Sequence, residues 1–186
     1  VRDGVYYENI DINKPHLTIK SENGSANCVV LAVNPNDHVF YVTADNVTIK
    51  GFTVTEATGY TAGIYLYNSN NSRIENVIAS NNDDGIDLWD SSSNIIVNNT
   101  ISSNNCGGIY LYYSNNNIIA NNTISSNNYD GIDLWDSSSN IIANNTISSN
   151  NDDGIHLWSS SNNNIIANNT ISSNNDDGID LWDSSS

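Results

Sequence analysis

From about residue 61 onward the apolar positions come in short bursts: Ile132 and Leu134, then Ile141 and Ile142, then Ile147, with Ser, Asn, Asp and Gly between them. Bursts this short do not line a helix of ordinary length. β-Branched Ile with period-two alternation suits strands, and the separators are turn formers. The bursts also repeat. Gly-Ile-x-Leu-aromatic recurs at Gly63, Gly85, Gly108, Gly131, Gly154 and Gly178, in steps of 22 to 24 residues. Between these lie Asn-Ile-Ile-x-Asn-Asn-Thr-Ile-Ser-Ser-Asn-Asn units starting at Asn94, Asn117, Asn140 and Asn164. One unit therefore reads as one coil of three strands. The period is too short for helical repeats, and the chain lacks the Leu-x-x-Leu-x-Leu of leucine-rich repeats. The pattern predicts an all-β fold, a single-stranded parallel β-helix of about eight coils, with Ile and Leu columns forming a continuous interior.

The first 60 residues repeat only loosely. Val29-Val30-Leu31, Val39-Phe40-Tyr41-Val42 and Val47-Thr48-Ile49 read as strands, with Lys14-Pro15 and Asn34-Pro35 in turns. Residues 1–60 are expected to be irregular opening coils and 61–186 the regular ones, in a single continuous solenoid. The start, Val1-Arg2-Asp3-Gly4, and the final Ser184-Ser185-Ser186, which breaks off where earlier copies continue into Asn-Ile-Ile, read as a fragment of a longer chain.

Composition sharpens this picture. Asn is roughly a fifth of the 186 residues, and Met is absent. The formal charge is -16, from 21 acidic and 5 basic residues. All the basic residues (Arg2, Lys14, Lys20, Lys50, Arg73) fall in the first 73 positions. Nucleic acid is thereby excluded as a partner, and no stretch approaches the ~20 apolar residues of a membrane-inserted helix. Cys28 and Cys106 read as buried free thiols. Asn-x-Ser/Thr sequons stand at Asn23, Asn46, Asn70, Asn98, Asn121, Asn144 and Asn168. The last four occupy one equivalent position per coil, where a ladder of Asn amides bonded from coil to coil is expected; they are also candidate glycosylation sites.

Gly4-Val5-Tyr6-Tyr7-Glu8-Asn9-Ile10, Lys14-Pro15-His16-Leu17-Thr18-Ile19 and the Asn-Asn-x-x-x-Gly-Ile coils resemble the right-handed parallel β-helix repeat proteins. These belong to the pectin-lyase-like superfold, with its NosD-like and carbohydrate-binding or sugar-hydrolase repeat groups. The resemblance implies a right-handed solenoid and an extracellular or cell-surface setting. It also brings in polysaccharide lyases, epimerases and hydrolases, whose motifs this chain departs from. The regular coils carry no Lys or Arg to act as a lyase base. Neither Pro15 nor Pro35 is followed by the His-Asp of an epimerase Asp-Pro-His-Asp motif. His156 stands in Gly-Ile-His rather than the hydrolases' Gly-His-Gly. No catalytic residue is assigned on this basis.

Strand alternation then selects the candidate site. With Ile and Leu pointing inward, the residue after Leu points out, and that column reads Tyr67, Trp89, Tyr112, Trp135, Trp158, Trp182. Aromatic residues at one strand spacing form a platform for sugar rings or for a neighbouring protein, or they stack on each other. The residue between Ile and Leu reads Tyr65, Asp87, Tyr110, Asp133, His156, Asp180. Asp on alternate coils avoids self-repulsion, so this column is expected to need no metal. The turn before Gly differs: Asp152, Asp153, Asp176 and Asp177 crowd in consecutive coils, as Asp83 and Asp84 do in an earlier one, and Ca²⁺ would relieve that crowding. No other cofactor is implied. The leading expectation is a non-catalytic structural spacer, lattice or filament component that self-associates or meets neighbouring surface proteins. The alternatives are a glycan-binding module using the ring column, with Asp133, His156 and Asp180 beside it, and a polysaccharide-processing enzyme.

Overall fold

The computed structural model describes residues 1–184; Ser185 and Ser186, where the sequence pattern breaks off, lie outside them. Every described element is a short strand, and the strands form three parallel sheets visited in turn by the chain. The first sheet has eight strands, from Gly4–Tyr7 to Thr170–Ser172. The second also has eight: Ile10–Ile12, Phe40–Val42, Ala62–Tyr67, Asp84–Trp89, Ile109–Tyr112, Ile132–Trp135, Ile155–Trp158 and Ile179–Trp182. The third has seven, from Thr18–Lys20 to Ile165–Ala167. Among the described residues no helix is long and apolar enough to cross a membrane.

Register between coils is unshifted, so equivalent residues stack: Ile109 pairs with Ile132, Ile132 with Ile155, and Leu111 with Leu134 in the same strands. These columns, with Ile101, Ile124 and Ile147 of the first sheet and Ile96, Ile119 and Ile142 of the third, fill the interior and are fully buried. The other Ile of each pair is not part of the core. Ile141 is 37% exposed and Ile165 55%, because consecutive strand residues point to opposite faces. The interior therefore holds one Ile per third-sheet strand.

In the regular coils most corners follow one pattern: a residue takes positive φ, and a buried or half-buried polar residue follows it. Asn98, Asn121 and Asn144 bend the chain at φ 57 to 58, and Ser103, Ser126 and Ser149 at φ 59. Left-handed φ is tolerated best by Asn among residues with a side chain, so Asn in a bend is cheap, while Ser there is strained. The next residue offsets the strain. The backbone N–H of Asn99 donates to Oδ1 of Asn122 (2.9 Å), and that of Asn122 to Oδ1 of Asn145 (2.9 Å). The Nδ2 of Asn122 also donates to the carbonyl oxygen of Ile96 (3.0 Å). Equivalent ladders run through Asn94, Asn117 and Asn140, through Asn104, Asn127 and Asn150, and through Ser91, Ser114 and Ser137. The expected ladder of sequon residues is thereby corrected. It is the second Asn of each pair that stacks inside, while Asn98, Asn121, Asn144 and Asn168 form the bend and are exposed.

The Gly column sits where backbones approach most closely. A Cβ on Gly108 would lie 2.5 Å from the carbonyl oxygen of Gly131 and 2.6 Å from Cγ2 of Ile124. This tight corner brings the residue before Gly round toward the outer face of the second sheet.

Candidate functional site

The ring column forms as the alternation requires. Centroids lie 4.1 Å apart for Trp89 and Tyr112, 5.5 Å for Tyr112 and Trp135, and 3.9 Å for Trp135 and Trp158. Stacking half-buries the middle rings, while Tyr67 and Trp89 stay more open and Trp182 is 68% exposed. Lower on the same face Tyr65 stacks on His38 (4.2 Å), whose Nδ1 accepts the backbone N–H of Ala62 (3.0 Å). Burial holds the His38 imidazole below its usual pKa. His16 is exposed. Both cysteines are free, with Cys28 buried and Cys106 half-buried. Burial, reinforced by Asp84 and Asp83, pushes the Cys106 thiol up to about 12, so it is an unreactive thiol.

Beside the rings, two columns that are separate in sequence meet. The residue before each Gly (Asp84, Gly107, Asp130, Asp153) and the residue two after it (Asp87, Tyr110, Asp133, His156) face each other across the corner. Burial, then the nearby Asp130, raises Asp133 to about 8, against which the Nε1–H of Trp158 donates to its Oδ1 (3.1 Å). Burial also raises Asp130 and Asp84 to about 6, opposed by backbone donors from Asp153 and Gly107 respectively. Asp87 is pushed well up by burial and by Asp84 and Asp83, and its Oδ1 is sealed from solvent without a donor. The expectation that alternation keeps these carboxyls apart is corrected, since it considered one column and the structure interleaves two.

Where Gly107 interrupts the inner column, the face sinks into a recess of about 280 Å³. Asp84 bounds it on one side and Asp130 and Asp133 on the other, with Cys106, Tyr110 and Tyr129 around it. Asp84 lies two coils from Asp130 and Asp133, a backbone separation of roughly 9–10 Å along the axis.

Two clusters present metal-ligand atoms within 4.8 Å of one another: Asp152 with Asp153 and Asp176, and Asp130 with Asp153 and His156. Of the four turn residues singled out by sequence, Asp177 stands apart, its backbone N–H donating to Oδ1 of Asp153 (2.7 Å). His156 lies among carboxyls: its Nδ1 is 3.7 Å from Oδ2 of Asp130 and from Oδ1 of Asp133, and its Nε2 is 3.6 Å from Oδ2 of Asp180. Sequence reasoning placed Asp84 only in a crowded turn and missed Asp130 as a site residue. The signal was the recurrent Asp-Gly-Ile-Asp, whose two carboxyls flank one tight corner. The sequons divide: Asn70 is half-buried and bonded to Asp45 (3.3 Å), whereas Asn23, whose amide donates to Asp3 (3.1 Å), and Asn46, Asn98, Asn121, Asn144 and Asn168 are exposed.

Comparison with known proteins agrees with this architecture. The family model described as "Right handed beta helix region" matches residues 32–186. No curated protein sequence matches the chain. Among solved structures, the catalytic domain of a GH87 alpha-1,3-glucanase in complex with nigerose is similar at TM-score 0.73 and 16% identity, covering 90% of this chain and 33% of that one. Pectate lyase Pel9A is similar at 0.68 and 15%, covering 95% and 68%. The periplasmic alginate epimerase AlgG is similar at 0.53 and 20%, covering 84% and 46%. At these identities the likeness shows the fold, of the pectin-lyase-like kind, and the chain spans a third of the first of these structures and under half of the epimerase.

Proposed function

Because the chain belongs to the right-handed β-helix family, whose fold is shared with polysaccharide lyases, epimerases and hydrolases, we propose that it binds polysaccharide along the outer face of the second sheet, with the solenoid as its rigid support. The observation that carries this reading is the recess beside Gly107, which opens next to a continuous stack of rings from Trp89 to Trp158. Rings offer rigid apolar area to sugar faces, and the recess supplies convergent polar groups to orient a residue of the chain. Fold alone does not choose a ligand, so the proposal rests on the site. An extracellular or cell-surface setting belongs to the same proposal, with support from the periplasmic epimerase among the similar structures.

Titrating neutral and uronate oligosaccharides while following Trp emission tests this reading. A saturable change that disappears in Trp135→Ala and Trp158→Ala supports it. Silence across the panel, with the rings meeting only each other, returns the segment to a structural spacer.

A second reading is hydrolysis, favoured by the carboxyls on opposite sides of the recess. Burial raises Asp133 to about 8 and Asp84 to about 6, so Asp133 is the better proton donor of the two and Asp84 the better acceptor. Their strands are two coils apart, and inverting glycosidases likewise place an acid and a base on opposite sides of the sugar. New reducing ends that vanish in Asp133→Asn would establish it, and intact sugar at saturating binding would remove it.

A further inference from the structure

The one position in the upper coils where the outer column carries neither Asp nor Tyr is His156, and its surroundings differ from those of any other residue on the face. Carboxyls from three coils surround it: Asp130 and Asp133 from the coil below, Asp153 from its own and Asp180 from the coil above. No Lys or Arg occurs after Arg73.

We propose that Asp130, Asp153 and Nδ1 of His156, with Asp133 beside them, bind one divalent transition-metal ion of the Zn²⁺ type. The carboxyls are already oriented for it. Oδ1 of Asp130 accepts the backbone N–H of Asp153 (2.9 Å), and Oδ1 of Asp153 accepts that of Asp177 (2.7 Å). Each is thereby fixed through one oxygen and left with a second, and Oδ2 of Asp130 is the atom that faces Nδ1 of His156. At 3.7 Å these two atoms are too far apart for a hydrogen bond. Two donors bound at ~2.0–2.1 Å to one tetrahedral ion stand ~3.4 Å apart, so a few tenths of an ångström of closure would seat the ion.

The far side of the imidazole supports the same assignment. Nε2 of His156 is sealed from solvent and has no hydrogen-bond partner, and it looks toward Oδ2 of Asp180 at 3.6 Å. A metal-bound His donates its other N–H to such a carboxylate, which fixes the ring and raises its basicity. The imidazole also selects the ion, since Ca²⁺ takes six to eight oxygens while imidazole suits Zn²⁺ and its neighbours. The arrangement occurs once among the described coils. Around Asp84 and Asp87 the next coil supplies Gly107 and Tyr110 in place of Asp153 and His156. The all-oxygen cluster of Asp152, Asp153 and Asp176 has no enclosed unpartnered atom and serves as the internal control.

Calorimetric titration of the metal-free chain with Zn²⁺, and separately Co²⁺ with absorption spectra, tests the site. One equivalent should bind, Co²⁺ should show the visible bands of a four-coordinate ion, and Ca²⁺ should not displace it. His156→Gln and Asp130→Asn should each lower affinity at least 10-fold, Asp180→Asn by ~10-fold, and Asp152→Asn should leave it unchanged. His156→Tyr places here the residue that Tyr110 supplies in the same column, without a nitrogen ligand, and should lose Zn²⁺ all the same. The proposal is overturned by a wild-type chain that takes up neither ion, by Zn²⁺ binding that survives both His156 variants, or by Ca²⁺ binding in preference to Zn²⁺. Loss in Asp152→Asn equal to that in Asp130→Asn would also sink it, by moving the ion to the turn.

Discussion

The outer faces of the first and second sheets are made by the same coils, yet they vary in opposite ways along the axis. On the first sheet Thr100, Thr123, Thr146 and Thr170 stack in one column and Ser102, Ser125, Ser148 and Ser172 in the next, without exception. On the second sheet the equivalent positions read Asp87, Tyr110, Asp133, His156 and Asp180. Both faces cover columns of one shared interior. Variation on the second sheet is therefore not required by stacking, and it gathers raised carboxyls, a recess and an imidazole on that face. Constancy serves the solenoid, and departure from it marks where chemistry is placed.

The comparison assumes a shared core, and the largest expected effects test that assumption. Ile124→Ala beneath the first sheet and Ile132→Ala beneath the second should each cost about 2–5 kcal/mol in denaturant unfolding. A large cost under one sheet only would mean that the faces are supported separately. Next is the ladder: Asn122→Ala removes the acceptor for the Asn99 N–H and should cost about 1–3 kcal/mol, whereas Asn121→Ala, one residue away and exposed, loses only the favourable bend.

A pH effect follows, and it belongs to the second sheet. Asp133 has a folded pKa of about 8, above its unfolded value, so the folded state holds the extra proton between those two values. Its contribution to stability is complete below the unfolded pKa and is lost as pH rises toward 8. Asp84 and Asp130 add the same sign up to about 6. Melting temperature should therefore fall from pH 4 to pH 8, and Asp133→Asn should flatten the upper part of that slope. The smallest effect is expected on the constant face, where Ser125→Ala should change stability by no more than about 0.5 kcal/mol and leave ligand titrations untouched. A ligand effect there as large as that of Trp135→Ala would end the division between the two faces.

Much of this was legible along the chain. The repeat of Gly-Ile-x-Leu-aromatic gave the coil, the three bursts gave three strands, and alternation placed the ring column outside, because these depend on period alone. The Ile pairs left open which residue is buried, since both are apolar and only the strand's facing decides it. The Asn pairs misled for a related reason. Asn98 and Asn99 are chemically identical, and the bend that takes positive φ at the first carries the second inside.

The candidate site was legible only by half. Asp133 and His156 were visible as members of one outward column. Asp84, Asp130 and Asp153 belonged, in sequence, to a different column, and the distance between the two columns is set by the corner at Gly. That corner exists because coil packing at Gly108 and its equivalents leaves no room for a Cβ. The sequence by itself determined the coil, its strands and which residues recur at one spacing, since these follow from local periodicity. Only the tertiary structure decided which columns face each other, which carboxyls lose their water and where Gly107 opens a recess, because those depend on distances across a corner that no single strand contains.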